Sequence, residues 1–325
     1  MLFSLITYVL AGVHVLLPVH LAVRLWRRRF RTIGAWGIEA GVTLVTLVAL
    51  YLFGRWDIVG YGLRYWIAVP CLAGAVASVV RVADRPWAGP NGLRWRGGAL
   101  MEGALFTGLL IWGGMGYAPE RPAVDLAPPL HGPGAYVVHG GGTPPINYHG
   151  AVSTAQRYAL DLNRLNGWGL RADGLRPDRL SDYAVYGDTV YSPLTGTAVE
   201  AVDRFPDRFS PDDQPAVGNH LWLRRDALYV VLAHLQQGSV QVAAGEQVER
   251  GQPVARVGHT GNTTEPHLHM HAVRCAEPCA VPDSLADAPP VPVTLNGRFL
   301  VRNDVLWGPD ERRPPAQVHA PRSPR

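Results

Sequence analysis

Residues 258–273 read GHTGNTTEPHLHMHAV, and His267, His269 and His271 stand at alternate positions in this stretch. A period of two is that of a β-strand, so these side chains share one face of a sheet, His267 and His269 roughly 6 to 7 Å apart along it. That spacing lets one imidazole bind a metal while its neighbour faces the substrate side of the same cleft. An HxH on a strand is a weak signal by itself. His271 continues the face but lies farther along, at a supporting or surface position. Gly261 to Pro266 form the turn that leads in, where Asn262, Thr263 and Thr264 shape the turn or hydrogen bond to substrate.

Short β-type runs surround this stretch: AYVVH (135–139), DTVYSPLTGTAVEAV (188–202), NHLWLR (219–224), ALYVVLAHL (227–235) and QPVARVG (252–258), separated by Gly-rich or Asx-rich breaks. Residues 154–165 suit a short helix or a strand. A mostly β domain is therefore expected over 135–305. It is preceded by a Pro-rich linker over 118–134 and followed by a Pro- and Arg-rich tail, 306–325, expected to be disordered.

Taken together, these motifs resemble the lysostaphin and LytM type of zinc metallopeptidase, over about residues 147–273. AVYGDTVYSPLTGTAVEAVD (184–203) is similar to the family's first strand pair. VVLAHLQQGSVQVAAGEQVERGQPVARVGHTGNT (230–263) matches its lone His in a strand and the hairpin that follows. The closing GNTTEPHLH carries its final HxH. The resemblance implies an antiparallel-sheet metallopeptidase domain of the duplicated hybrid motif type, one Zn2+, and hydrolysis of peptide bonds in peptidoglycan stems or cross-bridges. His269 and Asp161 would be metal ligands, and His234 and His267 the non-ligand pair that handles protons. The family places its first His four residues before the Asp, but here that position is Arg157, which cannot bind zinc. The nearest upstream imidazole is His149, twelve residues away, with His139 as the second candidate. Two His and one Asp would leave a fourth tetrahedral position open for water, as a catalytic zinc requires.

The other half of the chain is read from its charge. All 30 basic residues are arginine, against 26 acids. Residues 1–118 hold 11 Arg and 4 acids, a net of +7, while the rest holds 19 Arg and 22 acids, a net of −3. The basic excess therefore sits in the most apolar part, which points to a membrane and argues against nucleic acid. Four apolar stretches, at about 2–23, 33–53, 65–80 and 98–117, approach the ~20 residues a helix needs to cross a bilayer, giving a four-span domain over 1–117. The third is short unless it takes in residues 60–64. The fourth is Gly-rich and carries Glu102. Nine arginines flank the first and third connections and two the second, so the N-terminus and the C-terminal catalytic domain are expected on the extracytoplasmic side of the cytoplasmic membrane. Glu39 and Glu102 then lie near cytoplasmic ends. The expected partners are a peptidoglycan peptide and the lipid bilayer, with an unidentified membrane partner left open for the helical part.

Two rival functions differ in what they need. A catalytically inactive LytM-like module that binds or regulates cell-wall hydrolases would have lost its ligands. A biotinyl or lipoyl carrier needs a modifiable lysine at a hairpin tip, and the chain has no lysine. Cys275 and Cys279 sit four apart, where a local disulfide is favoured over a metal site because no second thiol pair exists; Cys71 falls inside an apolar stretch.

Overall fold

The apolar runs of the first hundred residues become helices. In the computed structural model, which describes residues 2–89, 97–132, 134–209, 214–275 and 288–306, they are α1 (Leu2–Arg27), α2 (Ile33–Phe53), a short α3 (Trp56–Val59), α4 (Ala68–Val82) and α5 (Gly97–Gly114). Thr32 caps α2, its Oγ1 accepting from the Ala35 N–H at 3.1 Å. Among the described residues three segments are long and apolar enough to cross a membrane: Leu5–Arg27, Ile33–Phe53 and Tyr61–Val82. The third reaches that length because it takes in Tyr61 to Arg64. The expected count of four spans is approximate: the last stretch is indeed helical, as α5, but its 18 residues include six glycines and Glu102, and it falls short of the other three. Leu16, Leu44, Leu72, Val80, Leu105 and Ile111 all stand exposed on these helices, a surface suited to lipid and not to water.

Glu39 and Glu102 are both neutralised where they stand. Arg28 Nη1 is 2.7 Å from Glu39 Oε2 and Arg24 Nη1 is 2.8 Å from Glu102 Oε2, while Arg24 Nε also meets Glu39. These pairs gather at the Arg-rich end of the bundle. The opposite end, where α2 turns into α3, packs on the β domain. There Tyr61 N–H donates to Gly169 O (2.8 Å), Arg171 N–H to Asp57 O (2.9 Å), Asn303 Nδ2 to Leu52 O (2.9 Å) and Gly142 N–H to Gly116 O (2.9 Å).

The β domain contains β1 (Val124–Leu126), β2 (Ala135–His139), β3 (Leu160–Arg164), β4 (Thr189–Tyr191), β5 (Gly196–Val202), β6 (His220–Arg225), β7 (Leu228–Ala233), β8 (Gln247–Val248), β9 (Pro253–Arg256), β10 (Leu268–Arg274), β11 (Val293–Leu295) and β12 (Val305–Leu306). Eight form one antiparallel sheet in the order β12-β2-β3-β10-β7-β6-β5-β8. The segment 154–165 resolves into a 3-10 turn at Thr154–Gln156 and then strand β3. Residues 118–134, expected as an extended Pro-rich linker, supply β1, which pairs in parallel with β11, and bury Leu126 and Leu130. Apolar side chains recur there at positions the Pro-rich composition obscured. The expected disordered tail lies outside the described residues beyond Leu306.

Strand alternation sorts the side chains. Leu268, Met270 and Ala272 of β10 and Leu160 and Leu162 of β3 enter the main core with Val230 and Leu232 of β7. His269 and His271 of β10 and Asp161 of β3 consequently project from the opposite face of the sheet. The site is thus built on two adjacent inner strands, β3 and β10, with a packed core behind it.

Candidate metal centre

β10 pairs with β3 in a register that sets His269 directly opposite Asp161, and on its other side with β7, where His269 faces Ala233. His269 Nδ1 lies 2.9 Å from Asp161 Oδ1, and His149 Nε2 lies 2.8 Å from Asp161 Oδ2. One carboxylate therefore bridges two imidazoles that come from distant segments. His149 opens a short helical turn, α6 (His149–Val152), whose position Asn147 fixes. The Asn147 Nδ2 donates to Gly141 O at 3.0 Å and Ala159 O at 2.9 Å, and its Oδ1 accepts from the His149 N–H at 3.3 Å. This buried clamp closes the twelve-residue gap between His149 and Asp161.

His234 and His267 complete the cleft, their ring centroids 4.8 Å apart. Each has its Nδ1–H committed to a backbone carbonyl: His234 to Thr260 O at 2.8 Å, His267 to Glu265 O at 2.9 Å. Since a neutral imidazole carries one proton, both Nε2 atoms are left as bases. His267 Nε2 stands 3.5 Å from Asp161 Oδ1. His234 adopts φ = 62°, a left-handed conformation uncommon for a residue with a Cβ. His149, Asp161, His234, His267 and His269 all line a single cleft of about 400 Å³, together with Tyr148, Thr263, Thr264 and Arg55.

Electrostatics follow from burial and from these pairings. Burial would raise the Asp161 carboxyl, but His149 and His267 and the hydrogen bonds it accepts hold it well below the usual carboxylate range. His149 shows the reverse balance: burial pulls it down, yet Asp161 outweighs that and raises it. Burial, reinforced by His267 and His269, pushes His234 well below its ordinary value, so it is neutral at neutral pH.

Two donor sets can be drawn around Asp161. One nitrogen each of His139 and His149 and a carboxylate oxygen of Asp161 fall within 4.8 Å of one another. His139 arrives there through a register shift in β2 that turns it toward Asp161. Its Nδ1, however, accepts from the Arg302 guanidinium at 3.3 Å, which leaves the ring proton on Nε2 and a fixed cation beside it. Neither nitrogen then has a lone pair to offer a metal. The set His149, Asp161 and His269 has no such obstacle, and nitrogen and carboxylate donors in this number suit zinc. His271, expected at a supporting or surface position, is buried, and its Nδ1 is 2.9 Å from His269 Nε2. Cys275 is disulfide-bonded; Cys279, its expected partner, lies outside the described residues.

Residues 180–279 match the sequence profile of Peptidase family M23. This segment is similar to the M23 peptidases. The match contains His234, His267 and His269, while Asp161 and His149 lie just N-terminal to it. No curated protein matches the sequence. Similar solved structures include lysostaphin in solution (21% identity, 40% of this chain and 40% of that chain, TM-score 0.25). Others are the lysostaphin catalytic domain from Staphylococcus simulans (22%, 49% and 86%, TM-score 0.26) and a zinc-containing peptidase from Vibrio cholerae (22%, 49% and 37%, TM-score 0.24). The chain thus spans about two fifths of lysostaphin and of the Vibrio cholerae peptidase, and at these TM-scores the likeness carries no weight beyond the sequence match.

Proposed function

We propose that the chain is a membrane-anchored, zinc-dependent endopeptidase whose substrates are the stem or cross-bridge peptides of peptidoglycan. The observation that carries this is the convergence in one cleft of a two-His, one-Asp donor set with two further imidazoles whose tautomers are fixed by backbone carbonyls. One zinc per domain is held by His149, Asp161 and His269. When bound, it supplies an acidified water and polarises the scissile carbonyl. His234 and His267 present bare Nε2 atoms to the same space. His234, neutral by burial, accepts the proton released as water attacks. The proton so taken up is returned from the imidazole pair to the leaving amine, His267 Nε2 being the second base that can carry it once protonated.

The alternative of an inactive regulatory module is disfavoured because every donor and both proton-handling imidazoles are present. The sidedness expected from arginine placement also has support. Arg24 of α1 and Arg28 meet Glu39 near the start of α2, whereas Leu52 at the other end accepts from Asn303 of the β domain, which supports a β domain on the side of the Arg-poor connection, outside the cytoplasm.

The test is zinc content and peptidoglycan hydrolysis of the full chain in detergent, beside His149→Ala, His269→Ala and His139→Ala. Zinc at one per chain, lost in the first two variants and kept in the third, is the expected pattern. Full zinc with no cleavage of any peptidoglycan would favour the regulatory module, and zinc lost only in His139→Ala would reassign the first ligand.

A further inference from the structure

The turn between α2 and α3 does more than touch the β domain: its Arg55 lines the cleft. Arg55 Nε and Nη2 grip Asp57 at 2.9 and 2.7 Å, and the same Nη2 reaches Glu265 Oε1 at 2.5 Å. The second Glu265 oxygen is held by Arg171 Nε at 2.5 Å, and the Arg171 backbone N–H is tied to Asp57 O at 2.9 Å. Asp57 and Arg171 are fully buried. Two acids and two guanidiniums thus close a neutral ring that joins the helical unit to the cleft wall. Burial would raise the Glu265 carboxyl, but Arg171 and Arg55 hold it far below the usual range, so Glu265 stays a carboxylate.

Glu265 is also the residue whose backbone carbonyl accepts the His267 Nδ1–H at 2.9 Å and the Thr263 hydroxyl at 2.8 Å. Its side chain therefore fixes the carbonyl that sets the tautomer and orientation of His267. Among the described residues of the β domain none duplicates the grip of Arg55 on Oε1, since Arg171 holds the other oxygen. We infer that Arg55, supplied by the membrane unit, is a positioning residue for His267, so that the anchor completes the active site. This rests on the proton-handling role proposed for His267. The partner of Arg55 lies 210 residues away in sequence, and a planar fork that must meet two carboxylates at once is a task for arginine and not for lysine.

The test uses the full chain in detergent, with Arg55→Ala, Arg55→Lys, Glu265→Gln and the double variant Arg55→Ala/Glu265→Gln. Three quantities are measured: zinc per chain, kcat and KM on a soluble muropeptide, and the rate at which diethyl pyrocarbonate modifies His267, followed by mass spectrometry. Arg55→Ala should keep its zinc, lose about 10- to 100-fold in kcat with KM little changed, and show His267 modified several-fold faster, because a small misplacement of a reacting group is costly. Arg55→Lys should fall between wild type and Arg55→Ala. The double variant should be no worse than the poorer single one, because both cut the same link. Loss of zinc together with activity, or unchanged His267 labelling in Arg55→Ala and Glu265→Gln, would overturn the inference. The labelling arm reads independently of turnover, so an inactive wild type would defeat the peptidase proposal while still deciding this one.

Discussion

His269 and Asp161 face each other across the paired inner strands β10 and β3, with His269 Nδ1 2.9 Å from Asp161 Oδ1. A ladder register fixes that distance, so the pair is held by the whole sheet and not by a loop. Asp161→Ala should therefore abolish zinc retention while leaving the strands paired, with metal affinity down by more than about 100-fold. Chelator competition on the full chain measures the affinity, and circular dichroism should remain near wild type.

His271 supports His269 from the side away from the metal position, Nδ1 to Nε2 at 2.9 Å. When His269 Nδ1 serves as a ligand, its Nε2–H can donate to His271, which fixes the ring. His271→Ala should weaken zinc binding by about 10- to 100-fold, the usual effect of losing such a partner. His139→Ala should leave zinc affinity within a few-fold of wild type, since Arg302 already occupies the His139 lone pair. Equal losses in the two variants would contradict this division.

His259 gives the domain a pH dependence of known sign. Its imidazole is buried, and burial lowers its value from 6.5 to about 4. The unfolded chain therefore binds a proton that the folded chain refuses, so the contribution to stability is full above about pH 6.5 and is lost progressively as pH falls toward 4. At about 1.4 kcal/mol per pH decade the whole effect is on the order of 3 kcal/mol. His259→Leu should flatten the fall in thermal midpoint between pH 6.5 and 4.5, and an unchanged slope would show that His259 is not responsible.

Gly218 sits at φ = 58°, and a Cβ built there would lie 2.4 Å from Thr260 C and 2.5 Å from Thr260 O. That oxygen is the acceptor that orients His234. Gly218→Ala should cost stability by about 1 to 3 kcal/mol through a strained left-handed backbone. It should also lower turnover beyond any change in zinc content, because the displaced carbonyl releases the His234 ring.

His234 itself carries strain at φ = 62°. His234→Gly and His234→Ala should both lose turnover. The glycine variant should nonetheless be the more stable by about 1 kcal/mol, because only Ala retains the Cβ penalty. Denaturation midpoints of the two variants decide this directly.

Much of the site is legible along the chain because it is written in local periods. The alternation in HLHMH places His267 and His269 on one face of the sheet, and the family pattern points to Asp161 and His234. The remainder depends on pairings between distant residues. Arg302 engages His139 from 163 positions away, and Arg55 and Glu265 are 210 apart. No spacing rule could announce either. Residues 118–134 look like a linker because proline obscures the few apolar positions, Leu126 and Leu130, that the core takes up once β11 is beside them. The fourth apolar stretch is helical as expected, though six glycines and Glu102 make it less apolar than the other three.

Arg55 stands two residues past Phe53, the end of α2. Two extended residues cover at most ~7 Å, so the cleft wall sits at a fixed, small height above the end of that span. On the proposed function, the contacts at this joint, and not a long tether, would set its working range. On that same function, an enzyme so mounted would meet its targets by lateral diffusion in a thin layer along the bilayer, where surface density governs the encounter rate more than bulk concentration does. Polymer lying farther out would have to come down to it.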